Sequence, residues 1–389
     1  MKQHIKVIIS GGGTGGHIFP AIAIANAVKK RFRDAEILFI GAEGRMEMKK
    51  VPDAGYDIIG LQISGLNRRN PFKNIPVIWK LLKSFSKARK ILKKFKPDIV
   101  IGVGGYASGP TLKMANSLKI PTLIQEQNSY AGVTNKFLSG KASAICVAYE
   151  GMERFFPKDK IILTGNPCRQ DLANTALTKE EACKFFKLDP DKKTILIIGG
   201  SLGSRTINRS VMKGIDAIND SGVQVIWQCG EFYLFDLSIE LSHKPDTGNI
   251  HLFDFISRMD LAYKAADLVI SRAGASSISE LSILGKPAIL VPSPNVAEDH
   301  QTKNALALVE KDAAVMIADK ESEQKLIPAA LGLINNKEKL NSLSDNILKL
   351  AQYNSADRIV DEMVKIINNK KQRWTIYNRY TSLALAELA

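Results

Sequence analysis

Short apolar runs recur along the chain, each ending in glycine or a small polar cluster and followed by a segment with helical spacing. In the first half they are Ile8-Ile9-Ser10, Ile37 to Gly41, Asp98 to Tyr106, Pro121 to Gln125 and Ala144 to Ala148. In the second half they are Thr194 to Gly199, Val223 to Gln228, Asn249 to Phe253, Asp267 to Ser271 and Ala288 to Val291. Runs that are apolar throughout rather than alternating belong to strands buried on both faces, as in a parallel sheet with helices on either side. The helical pattern of Ala21 to Phe32 supplies the first such cover. The expected class is therefore α/β, with two Rossmann-like doubly wound domains and ligands at the carboxyl ends of the strands. Thr164-Gly165-Asn166-Pro167 interrupts the repeat, and Leu177 to Lys193 reads as polar and helical. Domains are expected over 1–166 and 167–352, facing a cleft that holds a small ligand.

The loop after the first run, Gly11-Gly12-Gly13-Thr14-Gly15-Gly16-His17, combines five glycines with one histidine. Glycines allow positive φ and close approach to the backbone, and a helix start offers free N–H groups to negative charge. Gly11-x-Gly13-x-x-Gly16 also spells a dinucleotide fingerprint, a weak signal alone. A neutral imidazole at a helix N-terminus has its cationic form disfavoured and is available as a general base, which makes His17 the first catalytic candidate. The second half repeats the design in Gly199-Gly200-Ser201-Leu202-Gly203.

Further candidates lie at other strand ends. Glu126-Gln127-Asn128 closes one run, and Glu126 reads either as an accessory base or as a buried structural carboxylate. Arg272-Ala273-Gly274 opens into Ala275 to Glu280, where Glu280 suits ribose hydroxyls or compensates a helix dipole. His300-Gln301 opens a helix whose polar tip also lies at a strand end. Asp189-Pro190-Asp191 has the spelling of a metal-binding Asp-x-Asp, but it falls in a polar turn ahead of a strand's amino end, the wrong edge for a ligand. No protein metal site is expected.

Composition narrows the partners. The 389 residues are 45% apolar and 24% charged, enough for two full cores. Four scattered cysteines, Cys146, Cys168, Cys183 and Cys229, suggest neither a disulfide framework nor a zinc site, and a reducing compartment is expected. The first residues leave no room for a signal peptide, and no membrane-spanning run is seen. A net charge of +15 asks for an acidic partner. Its densest part, Arg68 to Lys96, holds eleven Lys/Arg, no Asp/Glu, and interleaved Phe72, Trp79, Leu82 and Phe85, with Phe72 and Trp79 expected to flank a proline-bounded turn. An anionic membrane surface fits that run; the bland reading is an amphipathic helix with a solvated basic face.

Taken together, Gly12 to His17, Gly104-Gly105-Tyr106-Ala107-Ser108-Gly109-Pro110, Glu126-Gln127-Asn128, Gly165-Asn166-Pro167-Cys168-Arg169, Gly199 to Gly203, Arg272 to Glu280 and His300-Gln301 resemble the MurG family. These are inverting glycosyltransferases that move N-acetylglucosamine from UDP to undecaprenyl-pyrophosphoryl-MurNAc-pentapeptide, lipid I, to give lipid II. The resemblance runs to about residue 368. It implies the glycosyltransferase B fold, a nucleotide-binding C-terminal domain, and a C-terminal helix near 355–368, with Ile359, Met363 and Ile366-Ile367 on one side, packing back on the N-terminal domain. It further implies that Ser201 and its amides meet the pyrophosphate with help from Arg169, and that Ile256 meets uracil. Ala275, Ser276, Ser277, Ile278, Ser279 and Glu280 would line nucleotide and ribose, and Gln301 would reach the sugar. Thr14, Gly15, Gly16 and Asn128 would approach from the N-terminal side. No cofactor is expected, Mg²⁺ assisting at most through the donor diphosphate. Relatives carry glutamine at some counterparts of His300, and 372–389 extends past the usual end. The place of work implied is the cytoplasmic face of the inner membrane, with the chain peripheral to it.

The rivals are a nicotinamide-dependent dehydrogenase, a nucleic-acid binder, a lipid glycosyltransferase using diacylglycerol, and a UDP-sugar epimerase of the same fold. The dehydrogenase lacks a clear acidic residue closing the second strand, where only Glu43 is near, and leaves the second glycine loop unexplained. The nucleic-acid binder lacks base-stacking aromatics arranged with the basic run, so nucleic acid is not an expected partner.

Overall fold

A computed structural model describes residues 4–63, 75–168, 172 and 176–370. The chain divides into two compact units, one of residues 1–168 with the C-terminal part from 354, the other of residues 169–353.

In the first unit the strands are β1 (Lys6–Ser10), β2 (Glu36–Ala42), β3 (Asp57–Leu61), β4 (Ile99–Gly102), β5 (Thr122–Glu126), β6 (Ala144–Val147) and β7 (Ile161–Leu163). They form one parallel sheet in the order β3-β2-β1-β4-β5-β6-β7. Helices α1 (Gly15–Arg31), α2 (Glu47–Asp53), α3 (Ile75–Phe95), α4 (Ser108–Ser117) and α5 (Val133–Ser139) connect them. Alternate strand residues feed opposite faces. Val7, Ile9, Ile99 and Ile101 meet Ile24 and Val28 of α1. Ile8, Val100, Ile124 and Ile145 meet Leu92 of α3, Leu112 of α4 and Leu138 of α5. The C-terminal helix, residues 355–370, brings Ile359, Val360, Met363 and Ile367 onto the α1 side of this sheet.

The second unit begins with α6 (Lys179–Phe186). Its strands are β8 (Thr194–Ile198), β9 (Gln224–Gln228), β10 (Ile250–Phe253), β11 (Leu268–Ser271), β12 (Ala288–Leu290) and β13 (Val315–Met316). They are ordered β10-β9-β8-β11-β12-β13, again parallel. Its other helices are α7 (Arg205–Lys213), α8 (Ile215–Ser221), α9 (Glu231–Ser242), α10 (Met259–Ala265), α11 (Ala275–Leu284), α12 (His300–Val309), α13 (Ser322–Ile334) and α14 (Lys337–Leu348). In each sheet the order in which strands are added reverses once, between β1 and β4 in the first and between β8 and β11 in the second. Ligands of open α/β sheets bind at such switch points, and both glycine loops lie there.

Several expectations are corrected. Helix α1 starts at Gly15, six residues before the expected Ala21, because Thr14 takes the extended N-cap conformation and the two glycines form the first turn. The helix expected across Leu177 to Lys193 is only Lys179–Phe186, opened by a Thr178–Glu181 capping box and ended by Lys187 in the left-handed region. Trp79 lies within α3 rather than beside a turn.

Candidate active site

At the first sheet's switch point the loops after β1 and β4 touch backbone to backbone. Gly105 has φ +84°, and a Cβ there would fall 2.3 Å from the Gly12 carbonyl oxygen. Gly104, at φ +92°, brings its α-carbon under the His17 ring, since a Cβ would come within 2.8 Å of Cε1. Glycine is therefore required by the close approach as well as by φ. His17 occupies the first turn of α1, and its Nδ1 is 2.9 Å from Gln127 Oε1. Glu47, at the start of α2, accepts the Gly13 N–H at 2.9 Å and the Ala42 N–H at 3.0 Å, fixing the loop from behind.

Glu126 ends β5 and is fully buried. Its Oε1 accepts the Asn128 backbone N–H at 3.1 Å and the Asn128 Nδ2–H at 3.3 Å. Its Oε2 accepts Gly132 N–H at 3.0 Å and Asn135 Nδ2–H at 2.9 Å. The carboxylate organises the loop that carries Asn128. Glu126, Gln127, Asn128 and His17 are thus one connected group, with Thr14, Gly15 and Gly16 in the same turn as His17.

In the second unit the loop after β8 is built the same way. Gly203, at φ +77°, lies against the Cys229 carbonyl, where a Cβ would approach within 1.8 Å. Gln228 Nε2 donates to Gly200 O at 3.1 Å. Ser204 caps α7 through Ile207 N–H, leaving Ser201 exposed on the loop above. Arg272 crosses the switch point. It donates to Ser204 Oγ at 2.6 Å, to Val291 O at 3.0 Å and to Asp319 Oδ1 at 2.5 Å. This guanidinium binds strand ends together.

Helix α11 begins at Ala275 with Gly274 as an extended cap and no acidic residue in its first turn. The Ser276 Oγ there is buried without a hydrogen-bond partner among the described residues. Buried hydroxyls are nearly always satisfied, and this one still has a hydrogen to donate. Glu280 lies beyond that turn and accepts the Tyr263 hydroxyl at 3.0 Å, which weakens the dipole-compensation reading. Ser277, Ile278 and Ser279 lie between. Gln301, on α12, accepts the Ser293 N–H at 2.8 Å, and Ile256 is buried in the loop after β10. Arg169 lies outside the described residues, as do Phe72 and the extension 372–389.

The Asp-x-Asp spelling is a closed turn. Asp191 N–H donates to Asp189 Oδ1, and Asp189 N–H to Gln224 Oε1, ahead of β8. Burial pushes the Cys146 thiol up to about 12 and that of Cys229 to about 11, so both stay protonated.

Gln127, Glu47, Asp319, Tyr263 and Ser204 escaped sequence reasoning as individual site residues. Only Gln127 carried a usable signal, its place between Glu126 and Asn128.

Residues 7–147 match the glycosyltransferase family 28 N-terminal domain and residues 194–360 its C-terminal domain. The fold and the paired glycine loops are accordingly those of a family 28 glycosyltransferase, of the two-Rossmann B type. A protein of Parabacteroides distasonis named UDP-N-acetylglucosamine–N-acetylmuramyl-(pentapeptide) pyrophosphoryl-undecaprenol N-acetylglucosamine transferase is 66% identical over 94% of this chain and 99% of its own. The crystal structure of Acinetobacter baumannii MurG superimposes with a TM-score of 0.76 at 28% identity, covering 93% of this chain and 99% of that one. The chain belongs to the MurG family. A Neisseria meningitidis UDP-GlcNAc 2-epimerase structure, at TM-score 0.64 and 16% identity over 93% of this chain and 100% of that one, shares the fold alone.

Proposed function

We propose that this chain transfers N-acetylglucosamine from UDP-N-acetylglucosamine to the C4 hydroxyl of MurNAc in lipid I, with inversion, giving lipid II for peptidoglycan. The observation that carries the mechanism is the His17 ring, seated against Gly104 and hydrogen-bonded through Nδ1 to Gln127. His17 Nε2 takes the acceptor hydroxyl's proton as the oxygen bonds the anomeric carbon. The bond from that carbon to the β-phosphate oxygen breaks, and UDP leaves with the electron pair. General bases of this kind contribute about 10² to 10⁴ in rate. With its lone pairs committed to the loop 126–135, Glu126 holds Asn128 in place rather than removing the proton.

The second unit takes the donor. Amides after Ser201, together with Arg169, neutralise the departing diphosphate, the kind of preorganised donor set that carries much of such catalysis. Ser276 and its neighbours through Glu280 hold nucleotide and ribose, Ile256 packs on uracil, and Gln301 supports the sugar. By the family resemblance, Thr14, Gly15, Gly16 and Asn128 serve the sugar end of the reaction.

The lipid acceptor calls for a membrane surface. Among the described residues no helix is long and apolar enough to cross one. Helix α3 turns Ala88 and Leu92 to the core and leaves Trp79 64% and Leu82 56% exposed beside Lys83 and Lys90. That face suits peripheral attachment to anionic lipid at the cytoplasmic face of the inner membrane, at about 1 kcal/mol per basic residue near the surface.

The test is to incubate the protein with UDP-N-acetylglucosamine and lipid I, diacylglycerol, or no acceptor. Labelled lipid II from the first alone is expected. Transfer to diacylglycerol, or epimerised donor without acceptor, would replace this reading with one of the rivals.

A further inference from the structure

Gln127 is 1% exposed, and its amide has one possible orientation. The Val103 carbonyl oxygen, 2.7 Å from Nε2, only accepts, so the NH₂ group must face it. A flipped amide would set two oxygens against each other at that distance. The same NH₂ also donates to Gln125 Oε1. Oε1 is thereby aimed at His17 Nδ1, and a carbonyl oxygen only accepts. The hydrogen in that 2.9 Å contact belongs to the histidine. The neutral ring carries its proton on Nδ1 and its basic lone pair on Nε2.

We propose that Gln127 is a positioning residue that fixes His17 in the Nδ1–H tautomer, so that the proton of the acceptor hydroxyl is taken by Nε2; this rests on His17 being the base. An imidazole in water favours the opposite tautomer, so an unheld ring would place its lone pair on Nδ1, facing the Val103–Gln127 side. Gly104 supplies the other constraint, since any side chain there would push the ring off Gln127. A neutral amide does this work without the cost of a buried carboxylate at a site already crowded with acceptor oxygens, the Val103 carbonyl and Gln125 Oε1. After proton transfer the imidazolium still donates from Nδ1 to Gln127, so the ring keeps one orientation through the step.

The test uses the full-length protein and ¹⁵N NMR of the ring nitrogens, His17 being assigned by its loss in His17→Ala. In the wild type at pH above the histidine's titration, Nδ1 is expected protonated and Nε2 unprotonated; the reverse would overturn the proposal without any variant. Gln127→Met, of similar length with only a weak thioether acceptor, is expected to shift the tautomer toward Nε2–H and to lower kcat about tenfold or more, with KM for UDP-N-acetylglucosamine within about twofold. Gln127→Glu keeps an acceptor oxygen toward Nδ1 and is expected to retain the Nδ1–H tautomer, but it loses the amide donor that faces the Val103 carbonyl and Gln125 Oε1, so its kcat is expected to fall between those of the wild type and Gln127→Met. A Gln127→Met protein that keeps the Nδ1–H signature would refute the positioning role. One that loses it with kcat unchanged would instead refute His17 as the base.

Discussion

Glu47 and Gly13, 34 residues apart, are joined by a 2.9 Å hydrogen bond in which a buried carboxylate accepts the N–H of the glycine loop's most open turn. The other oxygen accepts the Ala42 N–H at the end of β2, and a Cβ on Gly12 would run into this side chain at 2.2 Å. The loop that carries His17 is thus shaped from the start of α2, which the same carboxylate ties to the end of β2.

Glu47→Ala should cost about 1 to 3 kcal/mol of stability, because the buried Ala42 N–H loses a charged acceptor and the more open Gly13 N–H loses its tie to the same carboxylate. Glu47→Gln should cost less, since its amide satisfies one of them. Thermal unfolding of both variants beside wild type measures this, and equal melting temperatures for all three would show that the loop needs no clamp.

Gly104→Ala asks a left-handed residue to carry a side chain against the His17 ring, with a strain of about 1 to 3 kcal/mol. The expected result is a folded protein with reduced kcat and nearly unchanged donor affinity by calorimetry. A loss of donor binding comparable to the loss of kcat would point to a wider collapse of the loop.

For the donor, Glu280→Ala should weaken UDP-N-acetylglucosamine by about 1 to 3 kcal/mol if a charged hydrogen bond to ribose is lost. Tyr263→Phe removes only the hydroxyl that orients the carboxylate and should cost less than Glu280→Ala. Unchanged affinity in Glu280→Ala would return this carboxylate to a purely structural role with Tyr263.

On α3, Lys87 is engaged by Glu43 at 2.9 Å, so the charge-reversal test belongs on Lys80, Lys83 and Lys90. Their combined change to glutamate should abolish salt-sensitive sedimentation with anionic vesicles while turnover on a soluble short-chain acceptor survives. Equal sedimentation of wild type and variant would make this run a solvated face and nothing more.

The parts of the architecture legible in sequence were those written locally. Uninterrupted apolar runs such as Thr194 to Ile198 announce strands covered on both sides, and Gly11 to His17 announces a ligand loop. Strands β3, β7 and β13 were missed because they are edge-side and short: Asp57–Leu61 opens on a charge, Ile161–Leu163 has three residues, and Val315–Met316 has two. Glu47 was illegible for a different reason. It stands among Met46, Met48, Lys49 and Lys50, a pattern that reads as a solvated helix, and only the fold of β2 over the glycine loop buries it. Asp319 likewise gains meaning only when Arg272 and Thr206 reach it from distant segments. Helix starts at glycine, as at Gly15, run against propensity and depend on Thr14 and the loop beneath.

The central claim is that His17 is the base, and the most direct measurement is turnover of His17→Ala with UDP-N-acetylglucosamine and lipid I, beside donor binding by calorimetry. The account predicts a fall in kcat of about a hundredfold or more with folding and UDP affinity retained. A fall of less than about fivefold would contradict it.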